Sequence, residues 1–285
     1  MCSSRRVVIT GINGFIGNKI RQRLEENTWD VWGIDVKQQN TPKILVANLL
    51  SEEATKEAFA AIPSPYVIVH TAALAHGQRP PKGETCLTFN TKITLNILKA
   101  CQAHVKCFVF LSSVAVYGEA GRKRPVKVYD ECRPGTEYGQ SKIACEKMIV
   151  SSGSRYVSIL RLAPVYDADH MNDIYKRVKC PGLSRMAIRI IPEPSYSFCH
   201  VDRVVQAVLE SIKEEKEGVQ VYNVADQEPH RQHDLLIKNQ SRITLPILVP
   251  LLSPLYYTAY LIPGKTGYKI RSLYWKLFRS NVVEV

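Results

Sequence analysis

A glycine-rich turn between an apolar run and an amphipathic stretch constrains the fold of this chain most strongly. The run VVIT at positions 7–10 leads into GINGFIG at 11–17. The amphipathic stretch FIGNKIRQRLEE begins within this turn, at position 15. Glycines at 11 and 14 permit a tight turn whose backbone N–H groups approach a pyrophosphate, and Gly17 lets the following helix pack closely on a sheet. The N-terminus of that helix faces the phosphate charge. We therefore predict a dinucleotide-binding loop that uses Gly11, Asn13, Gly14, Phe15, Ile16 and Gly17.

Apolar runs and amphipathic stretches alternate through the first half of the chain. Strand-like runs include VWGIDV, ILVANL, YVIVHTAA, CFVFLSS and YVSILRLAPVY, and helical stretches begin at Glu52 and span 87–103 and 136–150. Repeated strand–helix units indicate an α/β fold with a doubly wound parallel (Rossmann) sheet. We predict a dinucleotide-binding domain over 1–166, with 200–225 returning to it, and a small C-terminal substrate lobe over 167–199 and 226–285.

Asp35 ends the second predicted strand, beside the glycine loop. A carboxylate at this position accepts hydrogen bonds from the adenosine ribose and repels a 2′-phosphate. The residue therefore favours NAD as the cofactor. Lys37 lies two residues further on and keeps NADP possible.

Tyr138 and Lys142 are four residues apart in a predicted helix, so their side chains project from the same face. A lysine ammonium beside a phenol favours the phenolate, so we expect the pKa of Tyr138 to fall from about 10 towards the working pH. The tyrosine would then serve as a general base. Ser113 ends the preceding strand, at the sheet edge where ligands of open α/β folds bind. Its hydroxyl would orient the reacting oxygen.

Charge and composition narrow the classes of partner. The 38 Lys and Arg residues outnumber the 26 Asp and Glu residues and give a formal net charge of +12. This charge suits an anionic partner such as a nucleotide, but no nucleic-acid-binding module is recognisable. We expect a small-molecule substrate and no nucleic acid.

Cysteine spacing and hydropathy bear on location. The opening MCSSRR shows no secretory signal, and the eight cysteines form neither CxxC pairs nor a zinc-ligand spacing. The apolar segment 247–262 is barely long enough to span a bilayer and is divided by prolines, so it predicts a buried helix with a proline-rich entry. We expect a cytoplasmic protein with reduced thiols, no metal site and no membrane partner.

Three motifs together resemble the extended short-chain dehydrogenase/reductase family, in the group that contains UDP-galactose 4-epimerase. They are the glycine loop, the strand FVFLSSVAVYG and the helix YGQSKIACEK, and the resemblance extends through residue 166. It implies Ser113, Tyr138 and Lys142 as catalytic residues, with Tyr138 and Lys142 also contacting the cofactor. It further implies cofactor contacts from Thr71, Ala72, Ala73, Asn90, Pro164 and Val165.

The same resemblance implies substrate contacts and an assembly. FCHVD at 198–202 is similar to the family's F-V-H-V-x-D stretch, so His200 joins Ser113 and Tyr138 as a candidate substrate contact; a packing role for His200 is the alternative. Relatives dimerise through the two helices around Asn90 and Tyr138, which implies a homodimer.

Departures from the family's motifs narrow the reaction. Dehydratases carry Thr-Asp-Glu where this chain has Ser113-Val114-Ala115, and the GDP-fucose synthase type has cysteine at position 114. A nucleotide-sugar 4-epimerase or a 4-keto-sugar reductase remains. Tyr196 replaces an arginine that often grips a substrate diphosphate, for which Arg189 or Arg203 would compensate. A 3β-hydroxysteroid-type dehydrogenase and a non-catalytic dinucleotide-binding protein therefore stay open as alternatives.

Overall fold

The computed structural model of the protein describes residues 5–37, 41–64, 66–74, 78–101, 105–118, 124–180, 183–214, 216–239, 243–259, 261–262 and 264–285. The strands are β1 (Arg6–Thr10), β2 (Asp30–Asp35), β3 (Ile44–Val46), β4 (Tyr66–His70), β5 (Val105–Ser113), β6 (Tyr156–Leu162), β7 (Val165–Tyr166), β8 (Lys179–Cys180), β9 (Leu183–Ile191), β10 (Ser195–Tyr196), β11 (Cys199–His200), β12 (Gly218–Val224), β13 (His230–Arg231) and β14 (Ile243–Leu248). The helices are α1 (Phe15–Glu26), α2 (Glu52–Ala60), α3 (Cys86–Cys101), α4 (Glu137–Val150), α5 (Asn172–Tyr175), α6 (Val201–Glu214), α7 (Gln232–Asn239), α8 (Val249–Thr258) and α9 (Gly264–Phe278).

Seven parallel strands form the central sheet in the order β3-β2-β1-β4-β5-β6-β12. From β1 the chain first builds outward through β2 and β3, and then returns to place β4 on the other side of β1. The crevice outside the carboxyl ends of β1 and β4 is therefore a topological switch point, where open α/β sheets bind ligands. The predicted doubly wound parallel sheet is confirmed.

Side chains of each central strand alternate between two apolar layers. In β5, Cys107, Val109 and Leu111 belong to one layer, whereas Phe108 and Phe110 belong to the other. Helices α1 and α6 cover the first layer, and α2, α3 and α4 cover the second. Burial of each large apolar side chain contributes roughly 1.5–3 kcal/mol. Because both faces are covered, such a strand reads as a continuous apolar run.

A second, smaller region follows the first six central strands. Strands β14, β9 and β8 form a three-stranded sheet in that order. Ile188 and Ile190 of β9 pack against Val249 and Tyr256 of α8 and Tyr274 of α9. These strands do not join the central sheet, whereas β12 does. The division of the chain into two domains at the stated boundaries stays a prediction.

The apolar segment 247–262 does not form the single buried helix that the sequence predicted. Its beginning belongs to β14, which pairs in parallel with β9, and α8 starts only at Val249. Pro246 lies in β14, at the edge of its sheet, because proline lacks an N–H and restrains the preceding residue to extended backbone. Leu248 and Tyr257 are 48% and 67% exposed, so the expected burial is wrong for them. Among the described residues, no helix is long and apolar enough to cross a membrane.

The C-terminal residues lie in an extended segment that contacts two parts of the fold. On one side, Ser197 N donates to Asn281 O at 2.8 Å. On the other side, Glu284 N donates to Val126 O at 2.8 Å, and Asn223 Nδ2 of β12 donates to Glu284 O at 2.9 Å. The segment therefore connects β10 to the end of the central sheet.

Candidate active site

The glycine loop has backbone geometry that side chains would not permit. Gly11 has a φ of +74°, in the left-handed region that favours glycine. A Cβ on Gly11 would lie 2.9 Å from backbone atoms of Ala72, and a Cβ on Gly17 would lie 2.3 Å from Gly11 O. Glycine at both positions thus allows the loop to pass β4 closely and α1 to pack on the loop. The result is a shallow cradle at the carboxyl end of β1.

Polar groups at this cradle fit a dinucleotide. Gly14 is the N-cap of α1, and no side chain of the described residues caps this helix. The first backbone N–H groups of α1 therefore lack intrahelical acceptors and can bind an anion. Asn13 Oδ1 is buried and has no hydrogen-bond partner among the described residues. The loop thus offers both donors and an acceptor to a bound molecule.

Asp35 lies where an adenosine ribose would be recognised. Its Oδ2 accepts from Asn13 N at 3.1 Å and its Oδ1 accepts from Lys37 N at 3.2 Å. Asn13 Nδ2 donates to Lys37 O at 2.9 Å and holds the two segments together. A carboxylate oxygen accepts more than one hydrogen bond, so Asp35 retains capacity for ribose hydroxyls. Its negative charge opposes a 2′-phosphate.

The segment after β4 forms the other wall of the cradle. Thr71 Oγ1 donates to Thr10 O at 2.7 Å, which fixes Thr71, Ala72 and Ala73 beside the glycine loop. Asn90 Oδ1 accepts from Leu74 N at 2.9 Å, and Asn90 Nδ2 donates to Ser141 Oγ of α4 at 2.9 Å. Asn90 is 2% exposed and braces this wall against α4. Its direct contact with a cofactor stays a prediction.

The structure brings the three predicted catalytic residues together. Ser113 is the last residue of β5, and its Oγ accepts from Ala115 N at 3.2 Å. Thr136 caps α4 by accepting from Gly139 N at 3.1 Å, which starts the helix at the residue before Tyr138. Lys142 is 3% exposed, and its Nζ lies 5.9 Å from the Tyr138 ring centroid. A hydroxyl pair and a buried cation therefore share one end of the sheet.

The expected lowering of the tyrosine pKa is wrong. Burial raises the pKa of Tyr138 to about 12, although the Ser113 side chain opposes this effect. Burial also lowers the pKa of Lys142 to about 8. Lys142 Nζ donates to Leu111 O at 2.8 Å. Desolvation of the phenolate is therefore the largest influence on the pKa of Tyr138.

The remaining predicted residues lie just beyond β6. Because β6 pairs with β5 through Leu162 and Ser113, Pro164 and Val165 follow close to Ser113. His200 pairs with Tyr166 between β11 and β7, and its ring meets the Tyr166 ring edge-on at 5.2 Å. These contacts give His200 a packing role. Its contact with substrate stays a prediction.

Two features of the site escaped sequence reasoning. Arg161 of β6 forms a buried ion pair with Glu146 of α4, with 2.8 Å between Nη2 and Oε2, and Ser112 also donates to Glu146. Loss of one partner of such a pair typically costs about 3–5 kcal/mol, so the pair firmly fixes the helix that carries Tyr138. The only feature of the local sequence that could have indicated this ion pair is the position of Glu146, four residues after Lys142.

The second feature lies over the start of α1. The rings of Phe15 and His170 stack with centroids 3.9 Å apart, and Asp167 Oδ1 accepts from His170 Nδ1 at 2.7 Å. The turn after β7 is thereby held against the end of the helix where phosphates are expected. No motif in the sequence marks His170.

Comparisons with known proteins agree with this geometry. The model of the NAD dependent epimerase/dehydratase family matches residues 7–225. UDP-glucose 4-epimerase of Vibrio cholerae is 27% identical over 247 residues, which are 79% of this chain and 74% of that enzyme. Methionine adenosyltransferase 2 subunit beta of Danio rerio is 30% identical over 148 residues, and the match spans 51% of this chain and 44% of that subunit.

Solved structures show the same fold. The Bordetella bronchiseptica enzyme WbmG, in complex with NAD and UDP, superposes with a TM-score of 0.70 at 20% identity, covering 98% of this chain and 84% of that one. The family description names NAD, which confirms the predicted cofactor. Since the family model covers most of the chain, the chain belongs to the NAD dependent epimerase/dehydratase family.

Proposed function

We propose that the protein is a nucleotide-sugar 4-epimerase or 4-keto-sugar reductase in which Tyr138 is the general acid and base. The observation that carries this proposal is the placement of Ser113 at the carboxyl end of β5 together with Tyr138 and the buried Lys142, whose Nζ lies 5.9 Å from the Tyr138 ring centroid. When bound in the cradle, NAD would supply hydride transfer at the carbinol carbon. The protein's own groups would move the accompanying proton.

Tyr138 rests as a neutral phenol, because burial raises its pKa to about 12. It can therefore donate its proton to a keto oxygen in the reductive direction. In the oxidative direction it accepts the hydroxyl proton, and the phenolate that would precede this transfer needs nearby positive charge. With a pKa of about 8, Lys142 is mostly cationic at neutral pH and lies within reach to stabilise that charge. The Ser113 hydroxyl would hold the substrate oxygen between Tyr138 and Lys142.

A nucleotide sugar is the proposed substrate class. The names of the Vibrio cholerae relative and of the WbmG complex with UDP support this class. Tyr196, at the position of the missing arginine, is fully buried, but the Arg177 guanidinium lies 5.4 Å from its ring centroid. Positive charge is therefore retained next to the altered position. The homodimer through α3 and α4 and the cytoplasmic location remain predictions.

Anaerobic incubation with NAD or NADH tests the proposal. UDP-hexoses, keto-sugars and a hydroxysteroid are supplied in turn, with the reduced nicotinamide followed by absorbance and the products by NMR. We expect conversion of a UDP-sugar, and we expect the variant Tyr138→Phe to lose at least about a hundredfold in rate while still binding NAD. Interconversion without net NADH identifies the epimerase, and stoichiometric NADH change with a keto-sugar identifies the reductase.

Two outcomes contradict the proposal. Turnover of the hydroxysteroid alone would assign the dehydrogenase alternative. Tight NAD binding with no turnover that depends on Tyr138 would assign a non-catalytic dinucleotide-binding protein.

A further inference from the structure

The turn between α8 and α9 exposes a group of apolar side chains. Tyr257 is 67% exposed, Leu261 is 82% exposed and Ile262 is 38% exposed. Leu261 N donates to Thr258 O at 3.0 Å, so a backbone hydrogen bond joins Leu261 to the last residue of α8. We call these three side chains the apolar tip. Clustered exposed apolar side chains indicate an interaction surface.

A packed base supports the apolar tip. The rings of Tyr256 in α8 and Tyr274 in α9 stack with centroids 4.6 Å apart, and they are 9% and 5% exposed. Arg271 Nη1 donates to Ala259 O at 2.6 Å and caps the carboxyl end of α8. The tip thus projects from a fixed pair of helices, with a guanidinium next to its backbone.

The charge of this region has a single sign. Residues 243–283 contain no aspartate or glutamate. They contain five basic residues, which are Lys265, Lys269, Arg271, Lys276 and Arg279. Two copies of a segment with this charge would repel each other, whereas an anionic surface would attract it. The charge therefore favours an anionic partner over self-association.

We propose that the apolar tip and the basic residues of α9 dock the protein on an anionic phospholipid bilayer. The apolar side chains would enter the boundary between headgroups and acyl chains, and the positive charge of α9 would attract the anionic lipids. Such docking is peripheral, because α8 has 10 residues and cannot span the bilayer. The proposal departs from the sequence expectation of no membrane partner, and it does not depend on the proposed enzymatic function.

Vesicle cosedimentation of the full chain tests this proposal. Vesicles are made of phosphatidylcholine alone or of phosphatidylcholine with phosphatidylglycerol, at low and at high salt. We expect binding to the anionic vesicles that high salt weakens, and little binding to the neutral ones. Leu261→Asp should weaken binding by about tenfold or more, because a charge replaces a leucine that the bilayer would bury. Ile237→Asp, which alters a 63% exposed side chain of α7, should bind as the wild type does.

Circular dichroism and thermal unfolding check that both variants are folded. Because both positions are exposed, we expect their folds to be intact. The proposal is overturned if the wild type stays in the supernatant with both kinds of vesicle, or if Leu261→Asp binds undiminished. It is also overturned if sedimentation velocity shows a dimer that Leu261→Asp dissociates while no vesicle binding occurs.

Discussion

Buried His70 should make the stability of this protein sensitive to mild acid. The ring is 1% exposed, with Nδ1 at 2.8 Å from Thr10 Oγ1 and Nε2 at 3.0 Å from Thr94 Oγ1. Burial, with a smaller contribution from the charge of Lys142, lowers the pKa of His70 from 6.5 to about 3. The folded protein therefore keeps this ring neutral, whereas the unfolded chain protonates it below pH 6.5.

The sign and size of the effect follow from proton linkage. Because the unfolded state binds the extra proton, the free energy of unfolding falls as the pH decreases below 6.5, and the loss continues until the pH reaches about 3. With about 1.36 kcal/mol for each pKa unit, lowering the pH from roughly 7 to roughly 5 should remove about 2 kcal/mol through His70.

Urea unfolding followed by circular dichroism at several pH values measures this effect. His70→Gln retains hydrogen-bonding groups but removes the titration, so its stability should fall less steeply between neutral and mildly acidic pH than that of the wild type. His233→Gln, which replaces an exposed histidine of α7, should keep the wild-type slope. Parallel curves for the wild type and His70→Gln, or an NMR titration of the folded His70 ring near 6.5, would refute the reasoning.

Two further predictions concern the backbone of the site. Gly17→Ala places a Cβ 2.3 Å from Gly11 O, so urea unfolding should show a loss of about 1–3 kcal/mol despite the better helix propensity of alanine. Gly14→Ala, at 3.2 Å from the same oxygen, should cost less, and a stabilised Gly17→Ala would contradict the clash. Thr136→Ala removes the hydrogen bond to Gly139 N and should cost about 1 kcal/mol in the same assay. Thr136→Ser should restore most of this loss, and equal stability of all three proteins would show that the cap contributes nothing.

Local patterns in the sequence predicted much of the fold and the candidate catalytic residues. The glycine loop, the alternation of strands and helices, and the helical spacing of Tyr138 and Lys142 depend on residues that are neighbours in the chain. Their geometry is set by backbone periodicity, so it can be read before the fold is known. The apolar segment 247–262 was misread, because an apolar run does not distinguish a strand from a helix, or an exposed side chain from a buried one.

Contacts between distant residues were decided only by the tertiary structure. Asn90 and Ser141 are 51 positions apart, and Ser112 and Glu146 are 34 positions apart, yet each pair is hydrogen-bonded. The pKa of Tyr138 likewise depends on how much water the packed elements exclude. The sequence by itself determined the candidate catalytic residues and the elements in which they lie. Their burial, partners and resting protonation depended on the packing of the whole chain, because desolvation is a property of the assembled structure.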